Sequence, residues 1–463
     1  MSRGGANISQ SAVPLLWSDA QDGARLKPGA WTFFGFIVVN AALFVRPGEI
    51  VPAAMGWPIY AVVATAALLL ALPAVLMQFG IRSLAERPIT VCVIGVLLAI
   101  MMSQLMSFSV WGARTSGAEF FKVLLYYLLL LAAVDSVQRL RRFIRWLAAL
   151  AVVVTAIAVL QYHGVIDLPG LSEIAQGHVD NETGEVSVLL RIVSTGIFND
   201  PNDLSLLLIL ASGACVYSFG DRRWGAWRWI WLTPMAMFVY AMMLTESRGG
   251  FLGLMAAVAV FVWARMGWRR ALPVTALVVP VMLFLFAGRQ TELGIGEDTA
   301  QARIGLWSEG LTMLKREPLF GVGYGQFDEL VGQVAHNSFV HAFAELGFFG
   351  GAMFLGAFAL AFQSVQRVRA TGQIDADLAR LGPYLLAIIA GYAVGMLSLS
   401  RTYVVPTYLV LGLAGAYAEI ARRGGVEAGL PRVSVRLGVR LAILSVLFVA
   451  GTYGFVRVFG RWG

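Results

Sequence analysis

The chain has 463 residues, of which 58% are hydrophobic and only 13% charged, and its mean hydropathy is +0.74. Soluble domains carry roughly 25% charged residues, so a water-soluble fold is excluded: no core of this length hides that much apolar surface. The net charge of +8 comes from short basic clusters between apolar runs, with no polar domain to form a groove, which argues against nucleic acid as a partner and for the lipid bilayer.

In chain order, residues 1–30 are polar, include Arg25 and Lys27 and lack the apolar core of a signal peptide; they are expected to stay in the cytoplasm. Apolar runs of about 15 to 24 residues predict spans at 31–45, 57–78, 89–110, 120–134 and 146–162, closing an N-terminal block over 31–162. A first long loop covers 163–203. A central block over 204–287 holds spans at 204–219, 230–244, 251–263 and 272–286. The second long loop covers 288–335. A C-terminal block over 336–421 holds spans at 339–362, 384–399 and 404–417, and 422–463 reads as a basic cytoplasmic loop followed by one more span at 441–456. The expected fold is all-α, a polytopic transmembrane bundle of about 12 to 13 spans. Cys92 and Cys215 both fall inside apolar runs, which implies neither a disulfide framework nor a cysteine metal site.

Charge sets the orientation. The connections 139–145, 221–228, 265–270, 366–380 and 421–440 are rich in arginine, and roughly 23 of the 35 Lys and Arg residues fall on their side. Roughly 18 of the 27 acidic residues fall on the other side. The positive-inside rule then puts the N-terminus in the cytoplasm and both long loops outside, where they can meet above the bundle.

The cations of that outer face stand at or near helix ends: Arg191, Arg248, Arg303 and Arg401. Arg248 lies in Thr245-Glu-Ser-Arg-Gly-Gly250, a turn between two short spans, so its guanidinium either snorkels to the interface or faces a wet cavity. Arg303 begins a run to Arg316 with apolar residues at Ile304, Leu306, Trp307, Leu311 and Leu314, the pattern of an amphipathic helix on the membrane surface. The following segment, 318–327, carries Gly321, Gly323, Tyr324 and Gly325. It lacks a Walker ending and a preceding strand, so it is no nucleotide loop, and a structural turn is favoured over close approach to a ligand.

His336 stands where the second loop re-enters the bilayer and is the best-placed general base, the alternative being a simple polar helix end. His336 and His341 are five apart, whereas metal ligands on one helix face recur at three or four, and no acidic pair completes a site. Asp200 and Asn202 beside Pro201 suit a turn and helix N-cap. Arg191 could join Arg248 and Arg303 in a cationic cluster, whose forks suit bidentate phosphate recognition. Glu345, nine residues beyond His336, either orients a partner or caps a polar cavity.

Taken in order, Phe198-Asn-Asp-Pro-Asn202, Ser247-Arg-Gly-Gly250, Arg303 with Trp307, 318–327, and His336 through Gly350 resemble the O-antigen ligase and O-antigen polymerase family of bacterial membrane glycosyltransferases. The likeness covers 191–351; the flanking helices match only in number and hydrophobicity, and the span at 441–456 departs from a common family layout. The resemblance implies a glycosyltransferase C-like fold in the bacterial inner membrane. It implies transfer of a glycan from an undecaprenyl diphosphate carrier to an acceptor hydroxyl on the periplasmic face, the acceptor being a glycan, lipid A core or a protein. It also implies no cofactor: neither nucleotide hydrolysis nor an obligatory metal. Arg191, Arg248 and Arg303 would bind the diphosphate and His336 would serve the acceptor, with Asn202, Trp307, Tyr324 and Glu345 beside the substrate. Ligation of a finished glycan is preferred and polymerisation of repeat units is the alternative. A transporter or lipid flippase would predict related halves and charges near the midplane; here the charges crowd at the outer ends and the halves differ.

Overall fold

The computed structural model describes residues 29–168, 171, 174–179, 186–286, 298–372, 374–426 and 429–461. Most of the expected cytoplasmic N-terminal segment and the first part of the second loop lie outside these residues. The first block consists of α1 (Ala30–Val45), α2 (Pro47–Ile50), α3 (Ile59–Leu76), α4 (Ile81–Glu86), α5 (Pro88–Met106), α6 (Val110–Ala133) and α7 (Val137–Tyr162). An antiparallel hairpin of β1 (Ile174–Val179) and β2 (Val186–Arg191) leads into α8 (Pro201–Phe219), α9 (Leu232–Leu244), α10 (Arg248–Met266) and α11 (Trp268–Leu285). The second loop contains α12 (Asp298–Arg316) and α13 (Gln326–Val331); α14 (Ser338–Ala370), α15 (Ala376–Gly395), α16 (Val405–Arg423) and α17 (Val435–Phe459) complete the chain.

Eleven helices among the described residues are long and apolar enough to cross a membrane, so the molecule is an all-α polytopic bundle. The two other expected spans are helical as well. The first, α9, has 13 residues, about 20 Å at 1.5 Å per residue; the second, α16, ends on Glu419, Arg422 and Arg423. The hairpin in the first loop was not anticipated, although Val186-Ser-Val188 alternates as a strand does.

Several expected connections are helix ends instead. Residues 139–145 form the first two turns of α7, capped by Ser136. Charge made this stretch read as a loop, but the charges are paired: Arg139 reaches Asp135 at 3.0 Å, and Arg141 and Arg145 reach Asp221 at 2.8 and 2.6 Å. Asp221 is fully buried and also accepts from Arg380 at 3.0 Å. Burial alone would raise its pKa, but hydrogen bonds from Arg380 and Arg141 outweigh burial and hold it down to about 2. In the same way α14 continues through Arg367 and Arg369 to Ala370.

The inner pillars are α6, α8, α14 and α15, each 72% buried over its apolar window, whereas α3, α11 and α17 are under 20% buried and face outward. Small residues let α10 and α15 cross closely. A Cβ at Gly253 would lie 2.6 Å from the Gly391 carbonyl oxygen, and one at Gly391 would lie 2.8 Å from the Gly253 oxygen. That crossing sets the N-terminus of α10, with Arg248, beside the exit of α15.

The decisive irregularity lies in α14, which is broken at Gly347 (φ 64°, ψ −166°). In an unbroken helix the N–H groups of Phe348 and Phe349 would bond to the carbonyls of Ala344 and Glu345. Here Phe348 donates to Pro318 O at 2.7 Å and Phe349 to Leu319 O at 3.2 Å, while Val322 donates to Ala344 O and Gly323 to Glu345 O, both at 3.1 Å. The loop 318–323 thus takes up all four backbone groups that the break releases. Gly321 (φ 72°) touches Gly347 backbone to backbone: a Cβ on Gly321 would sit 2.3 Å from the Glu345 carbonyl carbon, and one on Gly347 2.4 Å from that of Leu319. The glycines serve a close approach to the chain itself. Gly321→Ala and Gly347→Ala combine left-handed strain with a backbone clash and are expected to destabilise by about 3 kcal/mol or more, whereas Gly325→Ala, with open space around its Cβ, should cost about 1 kcal/mol. Thermal unfolding of the purified variants in detergent checks this order.

Candidate active site

Three helix starts converge at one end of the bundle. Asp200 caps α8, its side chain accepting from Asn202 N, and Pro201 takes the first helical position, as the sequence suggests. Ser247 caps α10 by accepting from Gly250 N, and Asn337 caps α14 by accepting from Phe339 N and Val340 N. The residue before each of the last two caps is left-handed: Glu246 and His336 both have φ 48°. Non-glycine residues adopt this conformation only when their surroundings hold them there, a pattern common at functional sites.

Asn202 links the first two starts. Its Oδ1 accepts from Ser247 Oγ at 2.7 Å and from Arg191 Nη2 at 3.2 Å. Arg191, 9% exposed, also donates through Nε to Thr245 O at 2.9 Å, and the neighbouring Ile192 N–H donates to Leu244 O at 3.1 Å. The end of the hairpin is thereby fastened to the turn whose next residue, Arg248, is half-buried at the first position of α10.

The third start is tied to the 399–402 segment. Ser338 Oγ donates to Leu399 O at 2.5 Å and accepts from the Arg401 N–H at 2.8 Å, and Thr402 Oγ1 donates to Ser338 O at 2.8 Å. The guanidinium of Arg401 forks onto Asp203 of α8, with Nε and Nη2 each 2.5 Å from a carboxylate oxygen. His336 is half-buried within this arrangement, and its pKa lies below the ordinary 6.5. Burial is the main cause, the Arg303 and Arg401 charges push the same way, and Asp200 opposes them. Its imidazole is therefore neutral at neutral pH and able to accept a proton. Arg303, on α12, acts on His336 across more than thirty residues of chain.

Glu345 stands behind the site. It is 1% exposed; its Oε1 accepts from the Phe327 N–H at 3.1 Å and lies 3.0 Å from His341 Nε2, and its Oε2 accepts from Tyr403 Oη at 2.9 Å. It pins the far half of the 318–327 loop to α14. Tyr324 stacks on Tyr403 with ring centroids 4.6 Å apart, and its carbonyl accepts from Gln104 Nε2 at 2.8 Å. Trp307 packs its ring 5.7 Å from Phe455 of α17. The extra C-terminal helix also holds α12 through Gln301, which donates to Phe459 O at 3.1 Å and accepts from Arg461 N at 3.0 Å.

The structure thus brings together Arg191, Asn202 and the Arg248 turn in one group, and His336, Arg303 and Arg401 in another, with α8 joining them through Asn202 and Asp203. Sequence reading passed over Asp203, Ser247 and Ser338. The cap signals were legible, since Ser and Asn stand one residue before the helical pattern begins, but the Arg401–Asp203 pair spans 198 positions and left no local trace.

No curated protein matches the chain. Residues 233–355 match the family model described as O-Antigen ligase, a segment that contains Arg248, Arg303, Trp307, Tyr324, His336 and Glu345, while Arg191, Asn202 and Arg401 lie outside it. This match covers about a quarter of the chain; together with the polytopic helical bundle it makes the segment 233–355 similar to the O-antigen ligase family.

Proposed function

We propose that this protein transfers a glycan from an undecaprenyl diphosphate carrier to an acceptor hydroxyl on the periplasmic face of the inner membrane, with ligation to lipid A core or another acceptor as the preferred reaction. The observation that carries this reading is the neutral His336 held at a helix start in the field of Arg303. Arg248 and Arg303 hold the diphosphate in a planar two-donor manner, and Arg191 adds charge from behind while bracing the Arg248 turn. The acceptor oxygen attacks the anomeric carbon, its proton passes to His336, and the bond to the diphosphate breaks with the electron pair leaving on the phosphate oxygen. Negative charge growing on that leaving group is stabilised by cations already in place, which removes the need for reorganisation at the moment of reaction. Tyr324 and Trp307 complete the surroundings of the donor, and Glu345 keeps the 318–327 loop in position.

Incubation of the purified protein with a lipid diphosphate glycan and candidate acceptors should release undecaprenyl diphosphate and label the acceptor. Products lengthened on the carrier itself would instead assign the polymerase reaction, and absence of release with every acceptor would overturn both.

Orientation is tested by cysteine labelling in intact cells. Positions 178, 303 and 324 should react from outside and 142, 269 and 422 only from the cytoplasm, following the charge asymmetry of the loops; a cytoplasmic 303 is incompatible with the proposed reaction.

Arg303→Lys and Arg248→Lys should each lose most activity although charge is kept, because an ammonium lacks the two-donor fork. Normal turnover by either well-inserted variant would remove that residue from diphosphate recognition.

His336→Ala should lower transfer by about 10² or more with donor affinity nearly unchanged. Because the pKa of His336 lies below 6.5, the base is neutral above that pH and becomes protonated beneath it. The acid limb of kcat/KM is therefore expected below pH 6.5. In the donor complex the bound diphosphate offsets the arginines, so the limb of kcat should move to higher pH. Both limbs should vanish in the alanine variant, and a limb that persists would assign His336 to holding structure or substrate.

A further inference from the structure

A cavity of about 780 Å³ opens at the other end of the bundle from His336. Three helices run between the two places. Helix α14 starts beside His336 and reaches the cavity at Ser364, α5 holds Tyr324 through Ser103 and Gln104 and reaches it at Pro88, and α16 starts after Arg401 and reaches it at Glu419. At 1.5 Å per residue these paths are about 20 to 40 Å long, so the cavity is separate from the candidate active site.

Its chemistry is two-sided. Its charged lining is made of Arg82, Arg87, Arg422 and Arg423 with Glu86, Asp135 and Glu419, so the arginines are in excess by one. Glu419 alone is shared by three of them, lying 2.9 Å from Arg87 and 3.2 Å from both Arg422 and Arg423, and Arg82 is exposed with no ion pair among the described residues. Its rim is apolar at Leu76 and Met77, which are exposed and continue the outward face of α3, with the exposed Phe79 and Ile81 next to them in the chain. A helix face that is 17% buried lies against lipid tails and ends where the arginines begin.

Three buried polar atoms lining the cavity have no hydrogen-bond partner among the described residues: Gln78 Oε1, Ser83 Oγ and Arg87 Nη1. Gln78 is 4% exposed, and its Nε2 is already used on Leu128 O at 2.9 Å. Arg87 spends Nε and Nη2 on Glu419, leaving Nη1 over. Leaving a buried polar atom unpaired is costly, and three around one cavity mark a place where a bound group supplies the partners. Its phosphate oxygens would accept from Arg87 Nη1 and the Ser83 hydroxyl, and a headgroup hydroxyl would donate to Gln78 Oε1. Basic pockets between membrane helices suit phosphate headgroups in this way.

We propose that this cavity binds an anionic phospholipid, with its phosphate and a headgroup hydroxyl against Arg82, Arg87, Ser83 and Gln78 and its acyl chains along the exposed face of α3. The site is independent of the glycan-transfer reading and is tested by lipid binding, without reference to activity.

The full-length protein, purified in neutral detergent, is titrated with phosphatidylglycerol, phosphatidylcholine or inorganic phosphate, and bound lipid is counted by native mass spectrometry alongside Tm. Phosphatidylglycerol should be retained and raise Tm by several degrees, phosphatidylcholine should bind at least tenfold more weakly, and inorganic phosphate should shift neither readout. The double variant Arg82→Ala/Arg423→Ala should lose about tenfold in phosphatidylglycerol affinity. Should that variant fold poorly, Ser83→Leu fills the cavity without removing any hydrogen bond and should weaken retention likewise. Equal binding of phosphatidylcholine, or undiminished phosphatidylglycerol binding in a folded variant, overturns the site; an equal effect of inorganic phosphate assigns it to a free anion and overturns the lipid.

Discussion

The break in α14 at Gly347 and the loop that repairs it are the constraint on which the rest of the molecule depends. A helix crossing lipid cannot leave backbone groups unpaired, because no water is present to satisfy them. The four groups released at 344, 345, 348 and 349 are bonded to 318, 319, 322 and 323, and that exchange works only because Gly321 and Gly347 bring two backbones into contact. Glu345, two residues before the break, repeats the connection with its side chain by accepting from the Phe327 N–H. The loop that follows α12 is therefore anchored to the same helix that begins just after His336. Arg303 and His336, on separate segments, gain a fixed relation through this anchor, and α17 closes the other side of α12 through Gln301 and Trp307.

The two ends of the bundle use arginine differently. At the end bearing residues 139–145, buried Asp221 draws in Arg141, Arg145 and Arg380. The charge of this cluster is paired internally, and the pairs let helices extend past the apolar core. At the other end, one arginine is fully engaged with a carboxylate, Arg401 on Asp203, while Arg191 is turned to backbone and amide oxygens. Both serve to hold helix starts together. The cations near His336 lower its pKa along with burial, so one set of charges would suit both the proposed diphosphate donor and a neutral base. This coupling is a consequence of assembling the site from helix ends, where backbone N–H groups and side-chain caps add to the same positive field.

The separation of roles among the polar groups around His336 follows from burial. Glu345 and His341 look as reactive in the sequence as His336 does, yet both lie under the loop and serve Phe327 and Tyr403. His336 differs by standing one residue outside the cap of α14, in a strained left-handed conformation that keeps its ring out of the helix and within reach of the second loop.

By itself the sequence determined the polytopic helical class, the approximate place of the spans and the helix caps, because hydropathy over twenty residues and cap chemistry over four are local quantities. It was equally sufficient for the amphipathic helix around Arg303 and for the structural use of the 318–327 glycines. The helix limit at 139–145 escaped it because paired charges read like solvated ones until the partner Asp221, some 80 residues away, is known, and that at 366–370 because Arg369 donates to the carbonyl of Ala264, on another helix. The hairpin ending on Arg191 escaped because its strands are short. Only the tertiary structure decided that Gly321 meets Gly347, that Arg401 grips Asp203 and that Arg303 acts on His336. Each of these relates segments far apart in the chain, set by which helix faces pack together, and no local pattern encodes that choice.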